Sequence, residues 1–363
     1  MGMKLGIVGL PNAGKSTLFN ALTSGHAAVA PYPFTTIDQN VGVAKVEDAR
    51  LERLAACLAP ERVIPTTLEV VDVAGLVKGA HQGEGLGNQF LSHIFGVDAI
   101  LHVVRAFQDE NVAHPMGGVD PLRDVEIIQT ELLLKDLEVV ERRREKEQKL
   151  AKSGDKHAAL LLDHLERWHR ALAAGEPIRR LALSPDAHPQ AFGVDLLSAK
   201  PVLYAANVSE TAAASAEAVE ALRALAARDA AQLVVFSAKL EAELTELEPA
   251  DRAEMMQALG LQDSALPQVL RQGYALLSLL TFFTTASKIL QAWTVRRGTK
   301  APQAAGIIHT DFERHFIRAD VIPVDALLRC GSETAARTQG LLRTEGKEYV
   351  VQDGDVIHFK IGV

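Results

Sequence analysis

Residues Gly9-Leu10-Pro11-Asn12-Ala13-Gly14-Lys15-Ser16 fit the pattern G-x-x-x-x-G-K-[ST]. They stand between an apolar run, Leu5–Val8, and a stretch of helical pattern, Lys15–Ser24, that Gly25 is placed to end. No other feature limits the fold so sharply. A strand, a tight glycine-containing loop and a helix in that order make a phosphate-binding loop at the edge of a parallel α/β sheet. The glycines let the backbone wrap closely, so that N–H groups from Asn12, Ala13, Gly14, Lys15, Ser16 and Thr17 can meet phosphate oxygens. The helix adds the positive end of its dipole. Lys15 supplies charge to the outer phosphates, and Ser16 offers a hydroxyl to Mg²⁺.

A second segment suits the same chemistry. Asp72-Val73-Ala74-Gly75 lies at the end of an apolar run that begins at Leu68. A carboxylate there can hold Mg²⁺ through a water, and the Gly75 N–H can reach the terminal phosphate. Between the two segments lies Pro33-Phe34-Thr35-Thr36. A threonine hydroxyl in that loop completes the Mg²⁺ shell only while the terminal phosphate is present, which makes the loop a switch. The two threonines are adjacent, and Thr36 is the favoured ligand. Asn12 resembles an asparagine that supports potassium binding in some related proteins, so K⁺ joins Mg²⁺ as a candidate cofactor.

Further buried strands are expected at Ala99–Val104, Val202–Ala206 and Leu233–Phe236, each nearly continuously apolar. The chain between Arg105 and Val202 far exceeds the dozen or so residues of a simple crossover. Its helical patterns, Glu126–Leu150 and His157–Ala174, flank the turn Ser153-Gly154-Asp155, so a helical hairpin is inserted there, at about 121–200. The charge run Glu141–Lys149 reads first as a solvated helix face, with RNA contact as the lesser reading. Beyond Leu280 the composition shifts to short strand patterns at Ala292–Val295, Gly306–Ile308, Tyr349–Val351 and Val356–Lys360. Asp353-Gly354 between two of these signals a hairpin. Residues 1–278 are therefore expected to form the nucleotide-binding domain, and 279–363 a small α+β domain.

The base is addressed by Asn207-Val208-Ser209-Glu210, placed where guanine-binding proteins of this class carry N-K-x-D. There the aspartate accepts two hydrogen bonds from guanine, and the lysine stem packs beneath the base. Here Val208 and Glu210 replace them, and the longer glutamate misplaces its oxygens. A site that reads a base by hydrogen bonds rejects a mismatched partner strongly. Asn207 can still address N6 and N7 of adenine, and Ser237-Ala238-Lys239 resembles the second base-contacting loop. ATP is expected over GTP.

Together these segments resemble the Obg-like ATPase, or YchF, family. The likeness runs across nearly the whole chain and includes Gly9–Thr17, Pro31–Asp38, Asp72–Gly87, Asn207–Glu210 and Ala301–Ala319. The resemblance implies a P-loop domain with a mostly parallel sheet and a helical insertion, and a C-terminal TGS domain of β-grasp shape. It also implies ATP as the preferred nucleotide and the ribosome or its large subunit as partner, with RNA contact through the insertion or the TGS domain. Many bacterial relatives carry cysteine where this chain has Thr35, so redox control through that position does not carry over.

In many related GTPases a glutamine after D-x-x-G orients the attacking water; here Leu76 stands there. Another residue, a cation or a partner must take over. His114, in a Gly/Pro-containing loop after Ala99–Val104, is the candidate, since an imidazole can position or deprotonate water near neutral pH. His81 and His93 are weaker alternatives. A regulatory ATPase is the leading reading; a GTP-preferring translation-associated GTPase and a small-molecule kinase are the competitors. The net charge of −8 argues against whole-molecule attraction to nucleic acid. The two cysteines, Cys57 and Cys330, have no metal-ligand spacing. No apolar run reaches membrane-spanning length, so a cytoplasmic protein is expected, with a monomer as the default state.

Overall fold

The computed structural model describes residues 3–23, 41–73, 86–210, 215–261, 263–286 and 288–362. They form two compact units, Met1–Val43 with Glu69–Val269 and Ala44–Leu68 with Leu270–Val363. The first is built on a six-stranded sheet in the order β2-β4-β1-β5-β6-β7. Its strands are β1 (Lys4–Val8), β2 (Val41–Lys45), β4 (Thr67–Asp72), β5 (Ala99–Arg105), β6 (Val202–Asn207) and β7 (Gln232–Phe236). Strand β1 runs parallel to β4 and β5, β5 to β6, and β6 to β7. Every residue of β5 and β6 is buried, as expected of strands covered on both faces. Helices α1 (Lys15–Thr23), α3 (Leu86–Phe95), α6 (Ala216–Arg228) and α7 (Ala238–Glu246) follow β1, β4, β6 and β7. The carboxyl ends of β1, β4, β5, β6 and β7 therefore lead into the loops that carry Gly9, Asp72, Ala106, Val208 and Ser237.

The expected insertion is present as a helical hairpin. Helix α4 (Pro121–Lys152) starts with Asp120 accepting from the Arg123 N–H and with proline in its first turn. Gly154 takes a left-handed φ of 92° at the turn, where a side chain would be strained. Asp155 then caps α5 (Lys156–Ala173) by accepting from the N–H groups of His157 and Ala158. The two helices bury Leu133, Val140, Leu161, Leu165 and Trp168 together. Asp136 lies on the same helix and is fully buried, accepting from the Leu197 and Ser198 N–H groups at 2.7 Å each.

Burial pushes the Asp136 carboxyl up to about 6 despite those hydrogen bonds. Its folded value exceeds its unfolded value, so the stability tied to its neutral form is full below about pH 4 and is lost as pH rises through 6. The size is roughly 3 kcal/mol. Buried His102, drawn down to about 3 chiefly by burial, works in the opposite sense, gaining stability as pH rises towards 6.5. Comparing wild type with Asp136→Asn cancels the His102 contribution. Between pH 4 and 7 the stability of wild type is expected to fall relative to the variant; a difference flat with pH would refute the reading.

The second unit holds a six-stranded mixed sheet in the order β11-β10-β12-β8-β9-β3. It comprises β3 (Arg62–Ile64), β8 (Leu279–Ala286), β9 (Ile289–Arg296), β10 (Phe316–Pro323), β11 (Arg343–Glu345) and β12 (Asp355–Ile361). The antiparallel β8–β9 hairpin lies beside β12, which is parallel to β8 and antiparallel to β10, a β-grasp arrangement. Helices α2 (Ala49–Leu58), α12 (Val324–Cys330) and α13 (Glu333–Thr338) contribute to one apolar cluster, and α10 (Ala301–Ile308) to the other. Helices α8 (Pro249–Ala258), α9 (Ala265–Leu276) and α11 (Thr310–Arg314) complete the chain.

Three expectations are corrected here. Gly306–Ile308 is the end of helix α10 and not a strand, because Ala301, Ala304 and Ala305 supply a helical buried face. A Cβ at Gly306 would lie 3.0 Å from Glu313 Cβ, so α10 passes close to α11 at this residue. Asp353-Gly354 forms a turn, with the Asp355 N–H donating to Gln352 O at 3.2 Å, but it joins no hairpin. Val350 makes only an isolated bridge to Lys300, whereas β12 pairs with β10 and β8. Lastly, residues 44–68 leave the first unit for the second. Strand β3 pairs with β9, and Leu51 and Leu54 of α2 pack with Phe283 and Leu290. Arg50 holds Asp48 and Asp353, the latter at 2.8 Å.

Candidate nucleotide site

The loop from Gly9 to Gly14 is shaped by close backbone approaches. A Cβ at Gly9 would lie 2.4 Å from the Val103 carbonyl oxygen, a distance that only glycine avoids. Asn12 adopts a left-handed φ of 63°, tolerated by asparagine better than by most residues, and its Nδ2 donates to Ala113 O at 3.0 Å. Gly14 has φ 96°, and a Cβ there would sit 2.3 Å from Asn207 Nδ2. Lys15 is buried at the first turn of α1, with Nζ donating to Leu10 O at 2.9 Å. Burial lowers its pKa, and the charge of Asp72 opposes that shift. Ser16 and Thr17 are exposed on the same turn.

Ser16 Oγ donates to Asp72 Oδ2 at 2.8 Å. Asp72 Oδ1 is buried without a hydrogen-bond partner among the described residues. An orphaned carboxylate oxygen beside a serine hydroxyl fits a hard divalent cation such as Mg²⁺, which binds few protein oxygens and completes its shell with water and phosphate. Among the described residues no cluster of three His, Cys, Asp or Glu side chains could hold a metal. Thr35, Thr36, Gly75, Leu76 and His81 lie outside the described residues.

Asn207 ties the site together. Its Nδ2 donates to Ala13 O and its Oδ1 accepts from the Ala238 N–H, both at 2.9 Å. The Val208 N–H donates to Phe236 O at 2.8 Å, and Ser237 Oγ accepts from the Leu240 N–H at the start of α7. The expected contacts Ala13, Gly14, Asn207, Val208, Ser237 and Ala238 thus converge where β1, β6 and β7 end. Asn207 is thus a buried tether between these segments, with its amide nitrogen and oxygen each bonded to backbone.

Both ring nitrogens of His114 are engaged by the protein. Its Nε2 lies 2.8 Å from Asp124 Oδ2, and its Nδ1 accepts from the Met116 N–H at 3.1 Å. Only 5% of each side chain in the His114–Asp124 pair is exposed. An accepting Nδ1 leaves the proton on Nε2, pointed at Asp124, so both ring nitrogens are engaged in pinning the loop to α4. His114→Ala is therefore expected to cost about 1–3 kcal/mol of stability by leaving buried Asp124 Oδ2 without its partner, Arg123 remaining on Oδ1 at 3.0 Å. Turnover in the folded fraction should change little; a large loss of turnover at unchanged urea midpoint would restore the catalytic reading. His93 is exposed near the end of α3.

Sequence reasoning missed Arg105. It is buried at the end of β5, and its guanidinium donates to the carbonyls of Phe107, Asp109 and Ala113. It thereby shapes the loop on which Asn12 leans. A charged residue ending an apolar strand was the only signal.

Comparisons with known proteins followed the same outline. The 50S ribosome-binding GTPase family model matches residues 4–150, and the YchF-GTPase C-terminal family, described as a protein of unknown function, matches residues 279–362. The chain is 48% identical to "Ribosome-binding ATPase YchF" of Bacillus subtilis and, separately, 48% identical to that of Haemophilus ducreyi, covering 100% of both chains in each case. Among solved structures it resembles the Schizosaccharomyces pombe YchF GTPase, with TM-score 0.88 and 38% identity over 99% of this chain and 98% of that one.

Proposed function

Because this chain belongs to the YchF family of P-loop nucleotide hydrolases, we propose that it is a Mg²⁺-dependent ATPase. In this reading it prefers ATP to GTP and acts as a cytoplasmic, monomeric switch that binds ribosomal particles. One observation carries the reading: Ser16 and Asp72 meet at the mouth of the P-loop, with Asp72 Oδ1 left for a cation. Bound there, Mg²⁺ neutralises charge on the outer phosphates. Potassium beside Asn12 is the second cation of the proposal.

The chain's own groups do the remainder. Phosphate oxygens replace Leu10 O as partners of Lys15, which restores the ammonium that burial disfavours. By their place in the sequence, the Gly75 N–H would serve the terminal phosphate, and Thr36 would ligate the metal only while that phosphate is present. Leu76 cannot orient water, and the His114 ring is engaged elsewhere. The attacking water is therefore left to backbone groups, the substrate's own oxygens or a partner, which gives a slow intrinsic rate that a partner can raise. Val208 and Glu210 favour adenine.

Ribosome binding comes to this chain by its kinship with the ribosome-binding ATPases of Bacillus subtilis and Haemophilus ducreyi. Arg142, Lys146 and Lys149 stand exposed at helical spacing on α4, while Arg143 and Arg144 pair with Glu147 and Glu166. That exposed stripe is the face offered to RNA phosphates, with the β-grasp domain as the other candidate contact. Co-sedimentation with ribosomes, with and without a non-hydrolysable ATP analogue, tests the switch. Binding that depends on nucleotide is expected, and it should weaken steeply with salt. Absence of binding in both states removes the ribosomal reading, and hydrolysis of GTP faster than ATP removes the base assignment.

A further inference from the structure

Lys239 holds the carboxylate of Glu210, the residue that stands in place of the guanine-reading aspartate. We propose that Lys239 is a specificity-determining residue that keeps Glu210 from serving guanine. The inference rests on reading Asn207–Glu210 as the base-addressing loop. Lys239 Nζ lies 2.7 Å from Glu210 Oε1. The ion pair joins the loop after β6 to the first turn of α7, which Asn207 already joins through the Ala238 N–H. Glu243 Oε1 stands 3.9 Å from the same ammonium, and Asp109 adds to the negative field around it. Lys239 thus faces three carboxylates among the described residues, those of Asp109, Glu210 and Glu243.

The two bases ask different things of Glu210. Guanine offers N1–H and an exocyclic amine, and reading them requires a carboxylate free to accept both bonds. A carboxylate with one oxygen on an ammonium is a weaker acceptor, and turning it towards guanine breaks the ion pair. Adenine presents an acceptor at N1 and so makes no such demand. The pair therefore disfavours GTP and leaves ATP untouched. Lys239 and Glu210 side chains are 72% and 48% exposed, so the effect belongs to the range of surface ion pairs. That corresponds to about two- to five-fold in affinity ratio, and salt should screen it.

The test is competition of ATP and of GTP against a fluorescent ATP analogue on the full chain with Mg²⁺. Wild type, Lys239→Met and Lys239→Arg are compared at low and high salt. Lys239→Met is expected to lower the ATP-to-GTP affinity ratio about two- to five-fold through tighter GTP binding. Lys239→Arg should keep the wild-type ratio, and high salt should move wild type towards the Met variant. A ratio unchanged in Lys239→Met, or GTP bound more weakly by it, overturns the proposal. A wild type without ATP preference instead overturns the base reading itself. The change between wild type and variant is scored whatever the wild-type ratio is.

Discussion

Lys15→Met is expected to lose about 10²–10³-fold in ATP turnover, the scale for removing one preorganised group that stabilises transition-state charge. The reason lies in what Lys15 endures in the folded protein. Its ammonium is buried at the start of α1, it donates to Leu10 O at 2.9 Å, and burial lowers its pKa. Such a group is kept for the phosphates it meets and not for stability. Methionine has a similar length and no charge to desolvate, so the variant should fold at least as well as wild type. Turnover within tenfold of wild type would show that Mg²⁺ and backbone N–H groups carry the charge alone.

The second large effect concerns stability. Asp229, at the end of α6, has a fully buried side chain. Its Oδ1 accepts from Arg180 Nε at 2.8 Å, and its Oδ2 from Tyr204 Oη at 2.7 Å and from an Arg179 guanidinium nitrogen at 3.3 Å. Burial by itself would raise this carboxyl, but Tyr204, Arg180 and Arg179 outweigh it and hold the pKa below its ordinary value. Arg179 and Arg180 come from the helical insertion, whereas Tyr204 is on β6, so the cluster fastens the insertion to the sheet. Asp229→Ala leaves two arginines facing an uncompensated site and should cost about 3–5 kcal/mol. The check is urea unfolding followed through Trp168 in a Trp293→Phe background, with Asp229→Asn as the milder comparison. An unshifted midpoint would show that the arginines find water instead.

The P-loop was legible in the sequence because its chemistry is contiguous: Gly9, Gly14, Lys15 and Ser16 act through backbone conformation and a helix start that their own order sets up. The same holds for the buried strands and for the helical hairpin, whose caps at Asp120 and Asp155 are local. Tyr349–Val351 misled because an apolar run beside an Asp-Gly turn looks like half a hairpin. Asp353, however, accepts from the Thr281 N–H and from Arg50, partners no neighbouring residue announces. The ring of His114 likewise looked free, since nothing in its loop says that Asp124 will meet it.

The sequence by itself determined the phosphate loop, the buried strands behind it and the helical insertion. Each is encoded within one short stretch, where steric rules and periodicity act directly on neighbouring residues. Tertiary structure alone decided that Asn207 would tether Ala13 to Ala238, that Lys239 would hold Glu210, and that strand β3 would join the C-terminal sheet. Those outcomes depend on groups far apart in the chain, whose hydrogen bonds and burial exist only once strands from distant segments lie side by side.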